Sequence, residues 1–406
     1  MKLANNNNLH LTYCTNIHPG ETWSEVFGNL KQYLPQLKTR LSPNRAFGVG
    51  LRLANIATKE LLTGDNLVQF QHWLESEDLY VFTLNGFPYG EFHHQVVKDK
   101  VYAPDWTKPE RLNYTLRLVK ILTALLPQDI DGGISTVPIS YKPWWQNSEQ
   151  KEKVLHQSSV YLAQAIAQMA EVYQDTGKLI HIDLEPEPDG MLENSQEIID
   201  FFQNWLLPVG QQWLQLNLGV RHSEAEDWIR QHIRVCYDTC HFAIEYEEPQ
   251  DIIQRFKDAG IKIGKIQLSS AIKIDIPSEP AQRQQVLNKL TPFAESTYLH
   301  QVIARHDNQE LEHYADLTAA LEHFMTTKAE EWRTHFHVPI FLANYQLFES
   351  TQDHITQLLQ MLPNDNIGNH LEIETYTWEV LPPEMKLDIL TSIEREYEWV
   401  LSIIDN

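Results

Sequence analysis

Cysteine, positive charge and long apolar runs are all in short supply in this chain. Its 406 residues include three cysteines, Cys14, Cys236 and Cys240. Three thiols cannot make a disulfide framework, so they are expected to stay reduced, in a cytosolic setting. Lysine and arginine number 32 against 55 acids, a formal charge of −23. DNA and RNA are therefore poor partners, because binding phosphates needs clustered positive side chains; an anionic membrane surface is disfavoured for the same reason. No run approaches the ~18 consecutive apolar residues of a membrane-spanning helix. The opening "MKLANNNNLHLTY" lacks the apolar core of a secretory signal. Gly/Ser-rich tracts, Pro-rich tracts and fixed-period repeats are missing too, so nothing marks a linker or a solenoid.

What is present is alternation. Short β-rich runs occur at 9–16, 46–54, 79–86, 133–140, 178–187, 234–241, 263–271 and 370–377. Between them lie segments with apolar residues at helical spacing, such as "WSEVFGNLKQYLPQLKTRL" and "VYLAQAIAQMAEVYQD". Strand–helix alternation predicts an α/β protein with parallel strands, and eight strands suit a closed (β/α)8 barrel spanning 1–406. A doubly wound open sheet is the alternative, but the first run leads into "IHPGETW" and not a G-x-G-x-x-G turn, so a dinucleotide fingerprint is absent. Residues 272–369 are too long for one βα unit and are expected to hold an insertion, with strand-like pieces at 298–305 and 333–343. Residues 87–110 form a second long loop, in which Phe87, Tyr89, His93 and His94 are expected to make a lid or packing cluster. Trp106 and Trp144 are expected to pack, and the acidic "EYEEP" to be a solvated loop.

Side chains alternate across a strand. Applied to five of the runs, this rule puts His10, Thr12, Cys14 and Asn16 on one face; His181, Asp183, Glu185 and Glu187 on another; then Cys236, Asp238 and Cys240; Lys265, Gln267 and Ser269; and His370, Glu372, Glu374 and Tyr376. Parallel sheets normally bury both faces, so polar parity on five strands is unexpected. Buried carboxylates cost several kcal/mol unless a cation balances them. Basic residues on these faces are too few for that, which points to a bound divalent metal with oxygen ligands at the strand ends, of the Mg, Mn or Co type. Asp238 is then a ligand, with His241 just beyond it near substrate or supporting a ligand, while Cys236 and Cys240 are small fillers of the interior. His18 and Asn85 end the first and third strands and are candidates for substrate contact.

The motifs "IDLEPEP", "CYDTCH", "KIQLSS" and "LEIETYTW" resemble, in order and spacing, the xylose isomerase-like TIM barrels of the sugar isomerase/epimerase superfamily. More densely, "TYCTNIHPGETW", "TLNGFPYGEFH", "VYAPDW", "CYDTCH" and "ETYTW" resemble the EboE family of bacterial metabolite-traffic proteins. The superfamily resemblance implies one divalent ion (Mn, Mg, Co or Zn) held by Glu185, Asp238, Gln267 and Glu374. Gln267 departs from the family, which has His there; His337 or His335 from "HFHVP" is the alternative ligand, and Glu187 the alternative to Glu185. The resemblance further implies Glu185 and Glu374 as the proton-transferring pair of an isomerase or epimerase acting on a small polyol or keto metabolite, with His18, Asn85, His241 and His337 around the substrate.

The EboE resemblance implies instead a non-catalytic handler of a prenylated or aromatic precursor, with other Ebo-cluster proteins as partners. Phosphodiester cleavage, as in the endonuclease IV branch, is disfavoured by the charge and by the few His ligands.

Overall fold

The protein is described as a computed structural model, covering residues 1–3, 9–90, 92–93, 96–345, 347–363, 367–379, 381 and 388–404. His94 lies outside the described residues. The eight β-rich runs become β1 (His10–Tyr13), β2 (Phe47–Arg52), β3 (Leu79–Asn85), β4 (Gly132–Thr136), β5 (Ile180–Leu184), β6 (Ile233–Asp238), β7 (Ile263–Leu268) and, last in the chain, β14 (His370–Ile373). All pair in parallel, in the order β1-β14-β7-β6-β5-β4-β3-β2. The two ends of this sheet meet. Cys14, just past β1, bridges Gly50 of β2, and the Thr12 hydroxyl donates to Gly48 O (3.0 Å) and accepts from Gly50 N (2.8 Å). The sheet is thereby a nearly closed barrel with helices outside it, the (β/α)8 architecture.

Local signals place the helices. Trp23–Leu41 starts at a capping box, in which the Thr22 hydroxyl accepts from Glu25 N and the Glu25 carboxylate accepts from Thr22 N. It buries Trp23, Val26, Leu30, Leu34 and Leu37, a single stripe at helical spacing. Ser148–Thr176 ends where Gly177 takes a left-handed conformation at φ 73°. "EYEEP" is solvated only in part: Glu248 is exposed, but Glu245 is buried, and Glu247 accepts from Ser195 N (2.8 Å) and Arg255 Nη1 (3.1 Å), so it ties two helices together. Trp106 and Trp144 do pack, with indole N–H groups donating to Thr136 Oγ1 and Asp99 Oδ2.

Between β7 and β14 the chain forms β8 (Ser270–Asp275), β9 (Val302–Arg305), β10 (Leu311–Tyr314), β11 (Glu331–Val338), β12 (Asn344–Tyr345) and β13 (Phe348–Ser350). These make an antiparallel sheet in the order β10-β9-β11-β8-β13-β12. The pairing of β11 with β8 is regular up to Thr334, then shifts before Val338. Such irregularities re-aim side chains, and this one spans His335 and His337.

The inward polar parity of the barrel divides into layers. At the base, His181 Nδ1 meets Asp183 Oδ1 at 2.6 Å, and Asp131 takes Arg234 Nη1 at 2.8 Å beside His370. In the middle, Lys265 Nζ donates to Glu372 Oε2 (2.6 Å) and Ser135 Oγ (3.1 Å), all fully buried. Burial opposes the lysine's charge, yet the Glu372 carboxylate holds its pKa above the ordinary value. One strand therefore does supply a counterion, and Glu372 needs no metal. Glycine makes room for the layers: a Cβ on Gly264 would sit 1.9 Å from Asp183 Oδ1, and one on Gly50 2.0 Å from Glu372 Oε1.

Candidate metal centre

At the mouth, the acids that end the strands converge. Asp238, the last residue of β6, caps the helix Thr239–Ile244: its Oδ1 accepts from Cys240 N (2.8 Å), His241 N (3.2 Å) and the Ser269 hydroxyl. That cap sets Asp238 and His241 one turn apart, which is the physical content of "DTCH". With Oδ1 saturated, Oδ2 has no hydrogen-bond partner. Glu185 follows β5 directly, and its Oε2 is also unpartnered. Glu374 follows β14, and its Oε1 accepts from Asn16 Nδ2 and Asn85 Nδ2, both at 2.9 Å. Glu185, Asp238 and Glu374 each bring an oxygen within 4.8 Å of the others.

His337 arrives from β11. Its Nδ1 donates to Glu374 O at 2.8 Å, which leaves Nε2 as a lone pair, and that atom is unpartnered. A backbone carbonyl that fixes the tautomer in this way is the usual support for a metal-binding imidazole. Asp238, His241 and His337 also lie within 4.8 Å of one another. Gln267 is turned elsewhere: its carbonyl oxygen accepts from Cys236 Sγ. Of the two alternatives in the sequence, the geometry joins His337 to the acids, because the shifted register of β11 carries it across the barrel mouth.

Glu187 sits two residues after Glu185, held by "EPEP". Its Oε1 is unpartnered and its Oε2 is 4.0 Å from His241 Nε2. Among the described residues, the four acids Glu185, Glu187, Asp238 and Glu374 have only histidines within ion-pair distance. Burial, reinforced by the neighbouring acids, pushes the carboxyls of Glu185 and Glu374 well above their ordinary range, and burial pushes Glu187 up to about 8. Burial opposes charge on Asp238 as well, but His241, His337 and the Ser269 hydroxyl hold its carboxyl below the usual value. Orphaned buried oxygens and an orphaned imidazole nitrogen, with no lysine or arginine within ion-pair distance among the described residues, are donors that could hold a divalent cation.

A pocket of about 560 Å3, measured with its open mouth, lies over these groups. Asn16, Asn85, Glu185, His241, His337 and Glu374 line its floor, and Phe87, Phe92, Val97, Tyr298 and Tyr376 its rim. The described part of the 87–110 segment thus covers the mouth. Asn85 supports Glu374 from the floor. His18 is absent from the lining; its Nε2 meets the Tyr13 hydroxyl at 3.0 Å and its ring stacks on Tyr33 at 4.2 Å, so it packs behind β1. Asn16 and Gln301 were not singled out as site residues from the sequence. Asn16 shares the inward parity of β1, a signal that could have found it; Gln301 had none.

No family model matches the chain, and no curated protein matches it by sequence. Solved structures do match over nearly the full length. D-allulose 3-epimerase from Methylomonas sp. aligns at 10% identity and TM-score 0.50, with 98% of each chain covered. The IolI protein with a bound zinc atom aligns at 12% and 0.47, again over 98% of each chain. The 3-keto-D-glucoside 4-epimerase YcjR from E. coli aligns at 11% and 0.44, over 97% of this chain and 99% of that one. At such identities the likeness concerns the fold alone: the chain is an α/β protein with a TIM barrel. Among the described residues no helix is long and apolar enough to cross a membrane.

Proposed function

We propose that the protein is a metal-dependent isomerase or epimerase of a small polyol or keto metabolite. The observation that carries this reading is that Glu185, Asp238 and Glu374 bring carboxylate oxygens within 4.8 Å of one another at the open end of the barrel, that Asp238 lies equally near His337, and that Glu185 Oε2, Asp238 Oδ2 and His337 Nε2 are buried without partners. Those four residues would hold one divalent cation, which when bound supplies Lewis-acid polarisation of a carbonyl and chelation of neighbouring substrate oxygens. Glu185 and Glu374 directly follow β5 and β14, strands separated by β6 and β7 in the barrel. One carboxylate takes the proton beside the carbonyl, and the other returns it from the opposite face. The paired donors Asn16 and Asn85 fix the Glu374 carboxylate through Oε1, so its other oxygen is the one that faces substrate.

The test is proton exchange. Metal-loaded protein, incubated in D2O with a panel of ketoses, is expected to wash deuterium into the carbon next to the carbonyl, as read by NMR. Glu374→Gln and Glu185→Gln are each expected to slow exchange by ~100-fold or more. Absence of exchange across the panel with a loaded centre would remove the reading. The apolar rim favours one other reading, that of a non-catalytic binder of a prenylated or aromatic metabolite. The resemblance of its motifs to EboE supports it and would put the protein in metabolite traffic alongside other Ebo-cluster products. Tight binding of such a ligand by a protein that exchanges no proton would favour it.

A further inference from the structure

The base of the barrel, at the opposite end of the strands from the acids of the mouth, holds a group of donors with no part in the chemistry above. His181 near the start of β5, His370 at the start of β14 and Asp131 just before β4 each bring a ligand atom within 4.8 Å of the others. Both imidazoles are fully buried. His181 Nδ1 donates to Asp183 Oδ1 at 2.6 Å. A neutral imidazole has one N–H, so Nε2 carries a lone pair, and that atom has no hydrogen-bond partner. His370 has no partner at either nitrogen. The Asp131 carboxylate faces both rings: Oδ2 stands 3.5 Å from His181 Nε2, and Oδ1 3.3 Å from His370 Nε2. Lone pairs and carboxylate oxygens so placed repel unless something positive lies between them. Glycine clears the space: a Cβ on Gly133 would lie 2.9 Å from His181 Cε1 and 3.2 Å from His370 Nδ1.

We propose that a zinc ion binds at this base, held by His181 Nε2, His370 Nε2 and Asp131, as a structural brace. The site is separate from the mouth, because the buried layer of Lys265 and Glu372 lies between them. Spacing distinguishes an ion from a proton. A proton shared by an imidazole and a carboxylate draws the heavy atoms to about 2.7–2.9 Å. Ligand atoms about 2.0–2.1 Å from a tetrahedral zinc stand roughly 3.3–3.4 Å apart, and the gaps here are 3.3 and 3.5 Å. The supports fit as well. Asp183 fixes the His181 ring from behind, and Arg234 Nη1 holds Asp131 Oδ2 at 2.8 Å, as carboxylate and hydrogen-bond partners do around metal ligands. Two surface hollows, of about 1240 and 1310 Å3 measured with their open mouths, both include Asp131 and give an ion its way in. In the sheet β5 and β14 are separated by β6 and β7, so the ion would join strands that share no hydrogen bonds. Residues at this end of a barrel serve stability and not chemistry. The site stands whether or not the mouth binds metal.

The experiment counts zinc. Full-length protein is stripped with chelator, titrated with Zn2+, desalted and analysed for zinc per chain. Asp131→Asn and His370→Gln are each expected to retain one ion fewer than the natural sequence, while Asp238→Asn keeps the ion at the base. X-ray absorption of the zinc in Asp238→Asn is expected to show two imidazoles. Asp131→Asn, which keeps size and shape, provides the count should His370→Gln fail to fold. A count unchanged in both base variants would overturn the site, whatever the mouth binds, and so would a natural chain that retains no zinc. Zinc-saturated protein in which 15N NMR finds His181 and His370 protonated at Nε2 would overturn it too, since protons would then fill both gaps. Zinc lost in Asp131→Asn but unaffected by Asp238→Asn would uphold the site at the base and remove the ion from the mouth instead.

Discussion

Single residues in the barrel interior are held to narrow tolerances. Gly264 has no space for a methyl group, because Asp183 Oδ1 stands 1.9 Å from where a Cβ would lie. Gly264→Ala is expected to lower unfolding free energy by about 1–3 kcal/mol or prevent folding, as overpacking does, when measured by urea denaturation. Lys265 presents the opposite case. Its ammonium is buried against Glu372, and removing one partner of such a pair leaves a naked charge. Lys265→Met is expected to cost about 3–5 kcal/mol in the same assay, while the double variant Lys265→Met with Glu372→Leu recovers most of that loss. If the single variant were as stable as the natural protein, Glu372 would have another counterion, and the division of acids between lysine and metal would be wrong.

At the scale of elements, the C-terminal helix Ile389–Ile404 reaches under the site. Glu396 on this helix is buried and accepts from Thr375 Oγ1 (2.6 Å), the residue after Glu374, and from Ile340 N (3.3 Å), just past β11. One carboxyl thus ties together the helix, the end of β14 and the strand that carries His335 and His337. Burial pushes this carboxyl up to about 8 from an ordinary value of 4.5, against the two hydrogen bonds that lower it. The folded state therefore holds a proton between those values that the unfolded state has released. This contribution to stability is full below about pH 4.5 and is lost as pH rises through about 8. Glu396→Gln mimics the neutral form, so its Tm is expected to fall less than that of the natural protein between pH 5 and pH 8. Parallel Tm curves for the two would refute the linkage.

At the scale of the whole molecule, a metal that binds only the folded chain stabilises it by mass action. A free concentration a thousandfold above Kd contributes about 4 kcal/mol. Chelation should therefore lower Tm by several degrees, with recovery on adding Mn2+ or Zn2+, and the effect should shrink in Asp238→Asn. An unchanged Tm would argue that no ion resides at the barrel mouth. The charge of −23 belongs to the same scale: the acids at the mouth focus cations towards it and repel polyanions.

The eight strands, their helices and the inward parity of their polar side chains were readable from the sequence because each depends on local periodicity. Glu185, Asp238 and Glu374 could be picked out for the same reason: each ends a strand on the inward parity. What the chain's order could not disclose was how charges divide among partners distant in sequence. Lys265 neutralises Glu372 from 107 positions away, and His335 meets His241 from 94. Gln267 stood first on paper, with His337 or His335 as the alternative; it is the folded insertion, with β11 shifted in register against β8, that sets the His337 imidazole beside Asp238 while the Gln267 oxygen accepts from Cys236. Pairing between strands depends on which surfaces meet, and a periodic pattern specifies the face of a strand but not its neighbour.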